Sequence, residues 1–168
     1  MNYASYGRGD FVRRIRIVSG TLIGAMIAML AIPFPAKASL GGNAVSVVAD
    51  QAYMQGKLSK AAKDAYTVQE IQAPTGVVVR EYVSQSGTVF AVAWQGPTQP
   101  DLRQVLGSYF TTFTQALQAQ RATRPARGPL VIQQAGLVME MGGHMRWVVG
   151  RAYIPGMMPA GVQAGEIR

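Results

Sequence analysis

Short runs of β-branched and aromatic residues, separated by turns that contain glycine, proline or serine, occupy the middle of this chain. They predict three strands, over Tyr66–Ala73, Val77–Ser84 and Thr88–Gln95. If Ser86-Gly87 forms a two-residue loop, Val83 pairs with Phe90 and Glu81 pairs with Val92. One face of this hairpin then carries Val79, Val83, Phe90, Val92 and Trp94 and is apolar enough to pack under a helix.

A stripe of apolar residues at helical spacing runs from Asp101 to Gln120. Its members are Leu102, Val105, Leu106, Tyr109, Phe110, Phe113 and Leu117. This period is typical of an amphipathic helix that packs on a core. Two further strands are predicted over Leu130–Met141 and His144–Ile154, because Gly142-Gly143 between apolar runs favours a tight hairpin turn. The pattern therefore predicts an α+β fold: an antiparallel sheet of about five strands, in the order βββ-α-ββ, with one amphipathic helix across one face.

The segments on either side of this domain, which spans residues 66–154, carry weaker signals. In residues 39–65, the valines of Val45–Val48 predict a short strand, and Gln51–Ala65 has helical character. The last segment, residues 155–168, contains two prolines and three glycines and is predicted to be irregular.

The N-terminus has the three parts of a secretory signal peptide. Arg13, Arg14 and Arg16 precede the apolar run Ile17–Ile32, and Ala36-Lys37-Ala38 supplies a cleavage site with small residues at its first and third positions. The apolar run is shorter than the ~20 residues that a membrane-spanning helix needs, and prolines follow it directly. We therefore expect a cleaved leader rather than an anchor.

Cleavage is expected near Ala38-Ser39, which assigns residues 1–38 to the signal peptide and places the mature protein in the periplasm or outside the cell. The protein then contacts the membrane only transiently, during export. The pair Arg13-Arg14 leaves open whether the general secretory route or the twin-arginine route is used. No cysteine follows the apolar run, which excludes a bacterial lipoprotein anchor.

Charge and cysteine content exclude several classes of function. The net charge of the whole chain is +8, but half of it belongs to the leader, and the basic residues of the mature chain form no stripe. We therefore expect no nucleic-acid partner. Lys57, Lys60 and Lys63, at three-residue spacing, are typical of one solvated helix face. The chain has no cysteine, which excludes thiol catalysis and thiolate metal sites and leaves the core alone to stabilise the fold.

Both faces of the predicted second hairpin are apolar. One carries Val138, Met145, Trp147, Val149 and Tyr153, and the other carries Leu137, Met139, Met141 and Val148. A single helix covers only one face of a sheet, so the other must be covered by the segment Leu40–Ala65, by a second subunit or by a protein partner. This surplus of apolar surface favours a non-catalytic exported protein that works by binding or assembly, with an unknown partner or with itself.

Copper binding is the first alternative function. In the predicted register, Met139, Met141 and His144 share one face at the end of the hairpin. Two thioethers and one imidazole suit monovalent copper, although methionine more often simply fills gaps in a core. No other cofactor is expected.

An envelope hydrolase that uses His144, the single histidine, is the second alternative. The predicted pairing directs Glu140 and His144 to opposite faces, and no Gly-x-Ser-x-Gly nucleophile motif occurs, so no catalytic residue is assigned. The sequence brings no two carboxylates together for glycosidase chemistry. Glu70 and Glu81, on adjacent predicted strands, are interpreted as members of structural ion pairs.

Seven short segments of the mature chain carry a resemblance to a known family. They are Leu40-Gly41-Gly42, Arg80-Glu81-Tyr82-Val83, Phe90-Ala91-Val92-Ala93-Trp94, Gly96-Pro97, Pro100-Asp101-Leu102-Arg103, Gly142-Gly143-His144-Met145-Arg146 and Gly150-Arg151-Ala152-Tyr153. Together they resemble exported proteobacterial proteins with no assigned activity, the domain of unknown function 2844. The resemblance covers nearly the whole mature chain. It implies export and a single domain and brings no catalytic residues.

Overall fold

One antiparallel sheet of seven strands organises the described part of the chain. A computed structural model describes residues 40–123, 128–134 and 136–168; the predicted signal peptide lies outside the described residues. The strands are β1 (Lys57–Ala62), β2 (Tyr66–Gln72), β3 (Val78–Ser84), β4 (Val89–Gly96), β5 (Leu130–Gln134), β6 (Leu137–His144) and β7 (Trp147–Tyr153). Their order across the sheet is β1-β2-β3-β4-β7-β6-β5. The α+β class and the antiparallel sheet are thus confirmed. The prediction of about five strands in the order βββ-α-ββ was wrong, because a further helix and β1 precede β2, and three strands follow the helical segment after β4.

Three helices pack on one side of the sheet, which we call the helix face. They are α1 (Ser46–Met54), α2 (Leu102–Leu106) and α3 (Phe110–Thr123). The single helix predicted over Asp101–Gln120 is in fact α2 and α3, separated by the 3₁₀ turn Gly107–Tyr109, because Gly107 adopts a φ of 52° and ends α2. Leu106 and Phe113 pack from these helices against Val92, Met139 and other strand residues. Within the described ranges, none of the helices combines the length and the hydropathy of a membrane-spanning segment.

The opposite side of the sheet, which we call the tail face, is covered at its centre by residues 155–168. This segment has only two short 3₁₀ turns, at Pro155–Met157 and Ala164–Glu166, as the irregular pattern predicted. It is nevertheless packed: Ile167 is fully buried in a cluster with Tyr66, Tyr82 and Phe90. Apolar burial of this kind stabilises a segment that has no regular secondary structure of its own.

Hydrogen bonds hold residues 155–168, which we call the tail, against the sheet. The Tyr82 hydroxyl donates to the Arg168 carbonyl at 2.8 Å and accepts from the Arg168 backbone N–H at 2.9 Å. The Arg151 guanidinium donates to the Ala164 carbonyl at 2.7 Å, and the Tyr66 hydroxyl donates to the Glu166 carboxylate at 3.0 Å. The tail is therefore attached to strands in both halves of the sheet.

The segment before β2 differs from its prediction. The valines at Val45–Val48, expected to form a strand, lie at the start of α1, and Gln51–Ala65, expected to be helical, contains the end of α1 and all of β1. Lys57 and Lys60 are therefore edge-strand residues and not one face of a helix. β1 forms because it pairs along its whole length with β2, from Lys57 opposite Gln72 to Ala62 opposite Thr67.

The observed β3–β4 register differs from the predicted one because of a β-bulge. Glu81 pairs with Val92, as predicted, but Val83 pairs with Val89 and not with Phe90, since the register shifts between Tyr82 and Val83. Val79, Val83, Val92 and Trp94 do share the helix face. Phe90 instead lies on the tail face with Tyr66 and Tyr82, because an extra residue in one strand reverses the facing beyond it.

The hairpin between β6 and β7 turns at Met145-Arg146, not at Gly142-Gly143. His144 pairs with Trp147, and Gly142 pairs with Val149 inside the ladder. Arg146, at the second central position of the turn, adopts a left-handed φ of 67°. Gly143 is needed within the strand for another reason: a Cβ there would collide with the backbone of Trp147. The long strand predicted over Leu130–Met141 is likewise divided into β5 and β6.

Candidate functional site

An apolar area remains exposed where the tail does not reach, at the β5–β6–β7 end of the tail face. It consists of Val131 on β5, Met145 in the hairpin turn, and Trp147 and Val149 on β7, which are between 40% and 90% exposed. We call these four residues the apolar patch. Trp147 and Val149 share a face with Val138 and Tyr153, as the sequence predicted, whereas Met145 lies in the turn.

Arg151 marks the boundary between the covered and the uncovered halves of the tail face. Its guanidinium forms an ion pair with Glu140 at 2.8 Å and also donates to the carbonyls of Ala164 and Ile167 in the tail. Between this boundary and β5 lies a groove of about 370 Å³. Gly142 forms part of its floor, because a residue without a side chain leaves a depression in the sheet. The groove and the apolar patch are continuous through Val131 and Val149.

The position of the tail differs from the predictions of what covers the second face of the sheet. The segment Leu40–Ala65 was one proposed cover, but Leu40 and Val47 pack on the helix face and β1 extends the sheet. The cover at the centre is the C-terminal segment. Its signal in the sequence is small: Met158, Val162 and Ile167 are scattered, without a helix or strand period, through a stretch rich in glycine and proline.

The structure does not bring the three predicted copper ligands together. Met139 is fully buried on the helix face, and Met141 packs against the same core. Strand alternation directs His144 to the tail face, where it is exposed at the end of β6. Among residues 40–123, 128–134 and 136–168, no cluster of three or more histidine, aspartate or glutamate side chains is suited to a metal ion.

His144 has no partner suited to catalysis in the described part of the chain. Its Nδ1 lies 3.1 Å from the carbonyl oxygen of its neighbour Met145. Glu140 is directed toward the same face but is engaged with Arg151. Without a hydroxyl nucleophile or a carboxylate that orients the ring, the imidazole lacks the arrangement that acyl transfer requires.

A pair of carboxyl groups does come together, beneath α1 on the helix face. Asp50 on α1 and Glu81 on β3 are each only 1% exposed, and the Gln104 side-chain amide on α2 donates to Asp50 Oδ1. Neither Glu81 oxygen has a conventional hydrogen-bond partner among the described residues, and neither has the Oε1 of Gln69, which pairs with Glu81 in the β2–β3 register. The prediction that Glu81 belongs to an ion pair was therefore wrong. Glu70 does belong to one, because it binds Arg80 at 2.7 Å.

Burial controls the protonation of this carboxyl pair. Desolvation, together with the nearby Asp50, raises the pKa of Glu81 to about 9. Desolvation also raises the pKa of Asp50 to about 6, although the hydrogen bond from Gln104 opposes it. Helix and sheet seal the pair from solvent, which excludes direct contact with a substrate in this conformation.

One signal in the sequence identifies this pair in retrospect. Glu81 alternates with Val79 and Val83 and therefore lies on a face that is otherwise apolar. A charged residue in the inward-facing series of a central strand needs a partner or a proton. The partner, Asp50, belongs to a segment that was not predicted to form a helix over this strand, so the pairing could not be inferred.

The comparisons with known proteins identify a family but no activity. The sequence matches the family described as "Protein of unknown function (DUF2844)" over residues 36–167. The chain belongs to this family, as its short motifs had indicated. No curated protein and no solved structure is similar enough to match it.

Proposed function

We propose that this chain is exported and that the mature protein works without catalysis, by associating with a second copy of itself through the apolar patch. The single observation that carries this proposal is the exposure of Val131, Met145, Trp147 and Val149 at one end of the tail face, beyond the part that residues 155–168 cover. Contiguous apolar surface of this kind is typical of protein–protein contacts.

The proposal of export is supported by sequence alone. The basic, apolar and small-residue parts of residues 1–38 follow the pattern of a secretory leader. The family match begins at residue 36 and so leaves out nearly all of that leader. Mass spectrometry of the protein recovered from cells should therefore find Ser39 at its N-terminus; an intact Met1 on cytosolic protein would contradict export.

The two edges of the sheet support a second copy as the occupant. β5 pairs only with β6 among the described strands and contains neither a charged residue nor proline, so two copies of β5 can approach without repulsion. β1, the other edge, carries Lys57 and Lys60. Lysines on an edge strand oppose pairing with further chains. Association through β5 and the apolar patch is thus expected to stop at a closed dimer.

Sedimentation velocity of the processed protein over a range of concentrations tests this function. We expect a dimer whose dissociation constant rises at least tenfold, or about 1.4 kcal/mol, in Val131→Lys, because the new charge lies on both the β5 edge and the apolar patch. Val48→Lys is the matched control, since Val48 is also an exposed valine but lies on α1. A monomer at every concentration, or equal association of Val131→Lys and wild type, would overturn the proposal.

A further inference from the structure

Helix α1 depends on very few contacts. It is nine residues long, and its buried residues are Ser46, Val47 and Asp50. Isolated helices of this length are marginal in water, so docking on the sheet must stabilise α1. Only one of its buried residues is a large apolar one, and another is a carboxylic acid. The state of Asp50 therefore strongly affects whether α1 stays docked.

The surroundings of Asp50 and Glu81 supply no positive charge. Gln104 on α2 donates to Asp50 and is neutral, and Val92 on β4 is the partner of Glu81 in the sheet. On the other side of Glu81, its partner on β2 is the uncharged Gln69. The next residue in that row is Lys60 on β1, which is exposed and one strand further from Glu81.

The remaining titratable groups nearby are engaged elsewhere. Tyr53 of α1 donates to the Asp101 carboxylate at 3.0 Å. The Arg103 guanidinium lies over the Phe110 ring at 4.6 Å. No described side chain therefore neutralises two buried carboxylates.

We propose that Asp50 and Glu81 share one proton while α1 is docked, and that loss of this proton releases α1 from the sheet. A protonated Glu81 donates to the Asp50 carboxylate, which also accepts from Gln104, so the contact is attractive. With both groups ionised, two adjacent buried charges repel each other in a region of low dielectric constant. The shared proton therefore holds α1 against β3.

The segments that flank α1 are held independently, so α1 can open alone. Before it, Gly41 donates to the Val89 carbonyl at 2.8 Å, and Val89 donates to the Gly42 carbonyl at 2.9 Å. After it, Gly56 packs against Ile71 and leads into β1. α1 also forms one wall of a surface groove of about 370 Å³, through Tyr53 and Met54. Release of α1 would remove this wall.

The direction of the pH effect follows from the raised pKa values. A solvated glutamate has a pKa of 4.5, whereas that of docked Glu81 is about 9, so opening releases one proton at any pH between these values. The equilibrium constant for opening should therefore rise about tenfold per pH unit between about pH 6 and 9 and level off above that range. Below about pH 6, protonation of Asp50 favours docking further.

Hydrogen exchange of the whole processed protein measures this equilibrium. The protection factor of the α1 amides, which corrects for the intrinsic pH dependence of exchange, should fall about tenfold per pH unit between about pH 6 and 9. In Glu81→Gln this dependence should vanish, because the amide has a similar shape and no proton to lose. Glu81→Met gives the same test if the amide variant does not fold. Glu70→Gln, on the opposite face, is the control and should behave as wild type.

A second variant tests whether the proton is shared. In Asp50→Asn, the protection of α1 should still fall with rising pH. The fall should level off at a lower pH than in wild type, because the charge that helps to raise the pKa of Glu81 is gone. The proposal is overturned if wild-type α1 protection is independent of pH, if Glu81→Gln keeps the wild-type dependence, or if Asp50→Asn leaves the end point unmoved. It is also overturned if added Ca²⁺ raises α1 protection at pH 8 through Asp50 and Glu81, since the pair would then bind a cation and not a proton.

Discussion

The indole of Trp94 lies directly over Gly150, the residue opposite it in the β4–β7 ladder. This contact fills the helix face at the point where the two halves of the sheet meet. A Cβ at position 150 would collide with the indole ring, so Gly150 is required by close approach.

Gly150→Ala should therefore destabilise the protein by about 1–3 kcal/mol, through overpacking of the core. Chemical denaturation followed by tryptophan fluorescence measures this loss. Gly142→Ala is the matched control, because a Cβ at Gly142 meets nothing within 4 Å, and we expect a change within about 0.5 kcal/mol. Equal effects of the two substitutions would show that Trp94 does not occupy the space above Gly150.

Tyr82→Phe should loosen the tail. The substitution removes a hydroxyl that both donates to and accepts from the Arg168 backbone, and it leaves the Arg168 N–H without its partner. We expect a loss of about 1–2 kcal/mol in the free energy of unfolding, with faster hydrogen exchange in residues 160–168. Tyr153→Phe is the control, since the Tyr153 hydroxyl makes no hydrogen bond among the described residues. A tail that exchanges equally slowly in Tyr82→Phe would contradict this account.

Acid should weaken the same attachment through Glu166. A hydrogen bond from the Gln163 backbone N–H and another from the Tyr66 hydroxyl hold the pKa of Glu166 below its usual value of 4.5. Because this pKa is depressed in the folded state, the stabilisation is complete above about pH 4.5 and is lost as the pH falls through the folded value.

Exchange of the tail amides at a series of acid pH values tests this dependence. Glu166→Gln should show less of it, since the amide oxygen still accepts but does not titrate. Asp64→Asn removes another exposed carboxylate, which lines the same surface depression as Glu166, and should leave the wild-type response intact. If Glu166→Gln responds to acid as wild type does, another group is responsible.

Copper affinity should not depend on His144. The imidazole is exposed on the tail face, whereas Met139 is buried on the helix face, so one ion cannot bind both in this fold. Titration with monovalent copper under reducing conditions should give the same result for wild type and His144→Ala. A lower affinity in both His144→Ala and Met141→Ala would restore the three-residue site predicted from the sequence.

The parts of the fold that the sequence predicted are those decided by local pattern. β2, β3 and β4 begin and end within about one residue of their predicted bounds, because β-branched runs and turn residues act over short distances. β1 was missed because Lys57–Ala62 contains good helix formers, and only pairing with β2 makes it a strand. The bulge at Phe90 changes the face of the sheet on which the Phe90 side chain lies. The residues around it are all apolar, so the alternation of residue types along β4 does not reveal the bulge.

The candidate sites, like the fold, could be predicted only where local pattern decides them. The apolar character of the face that carries Trp147 and Val149 follows from strand alternation and was foreseen. The limits of the exposed part depend on where residues 155–168 lie, which is a non-local contact. The pairing of Asp50 with Glu81 likewise requires knowing that α1 crosses β3, and no spacing in the sequence encodes that.

The attachment of Ile167 and Arg168 to β2, β3 and β7 has a consequence for the order of assembly. The aromatic cluster of Tyr66, Tyr82 and Phe90 stays uncovered until Ile167 docks on it. Pairing of β2, β3 and β4 therefore cannot bury this cluster by itself, and its closure depends on a contact between parts of the chain that are far apart in sequence.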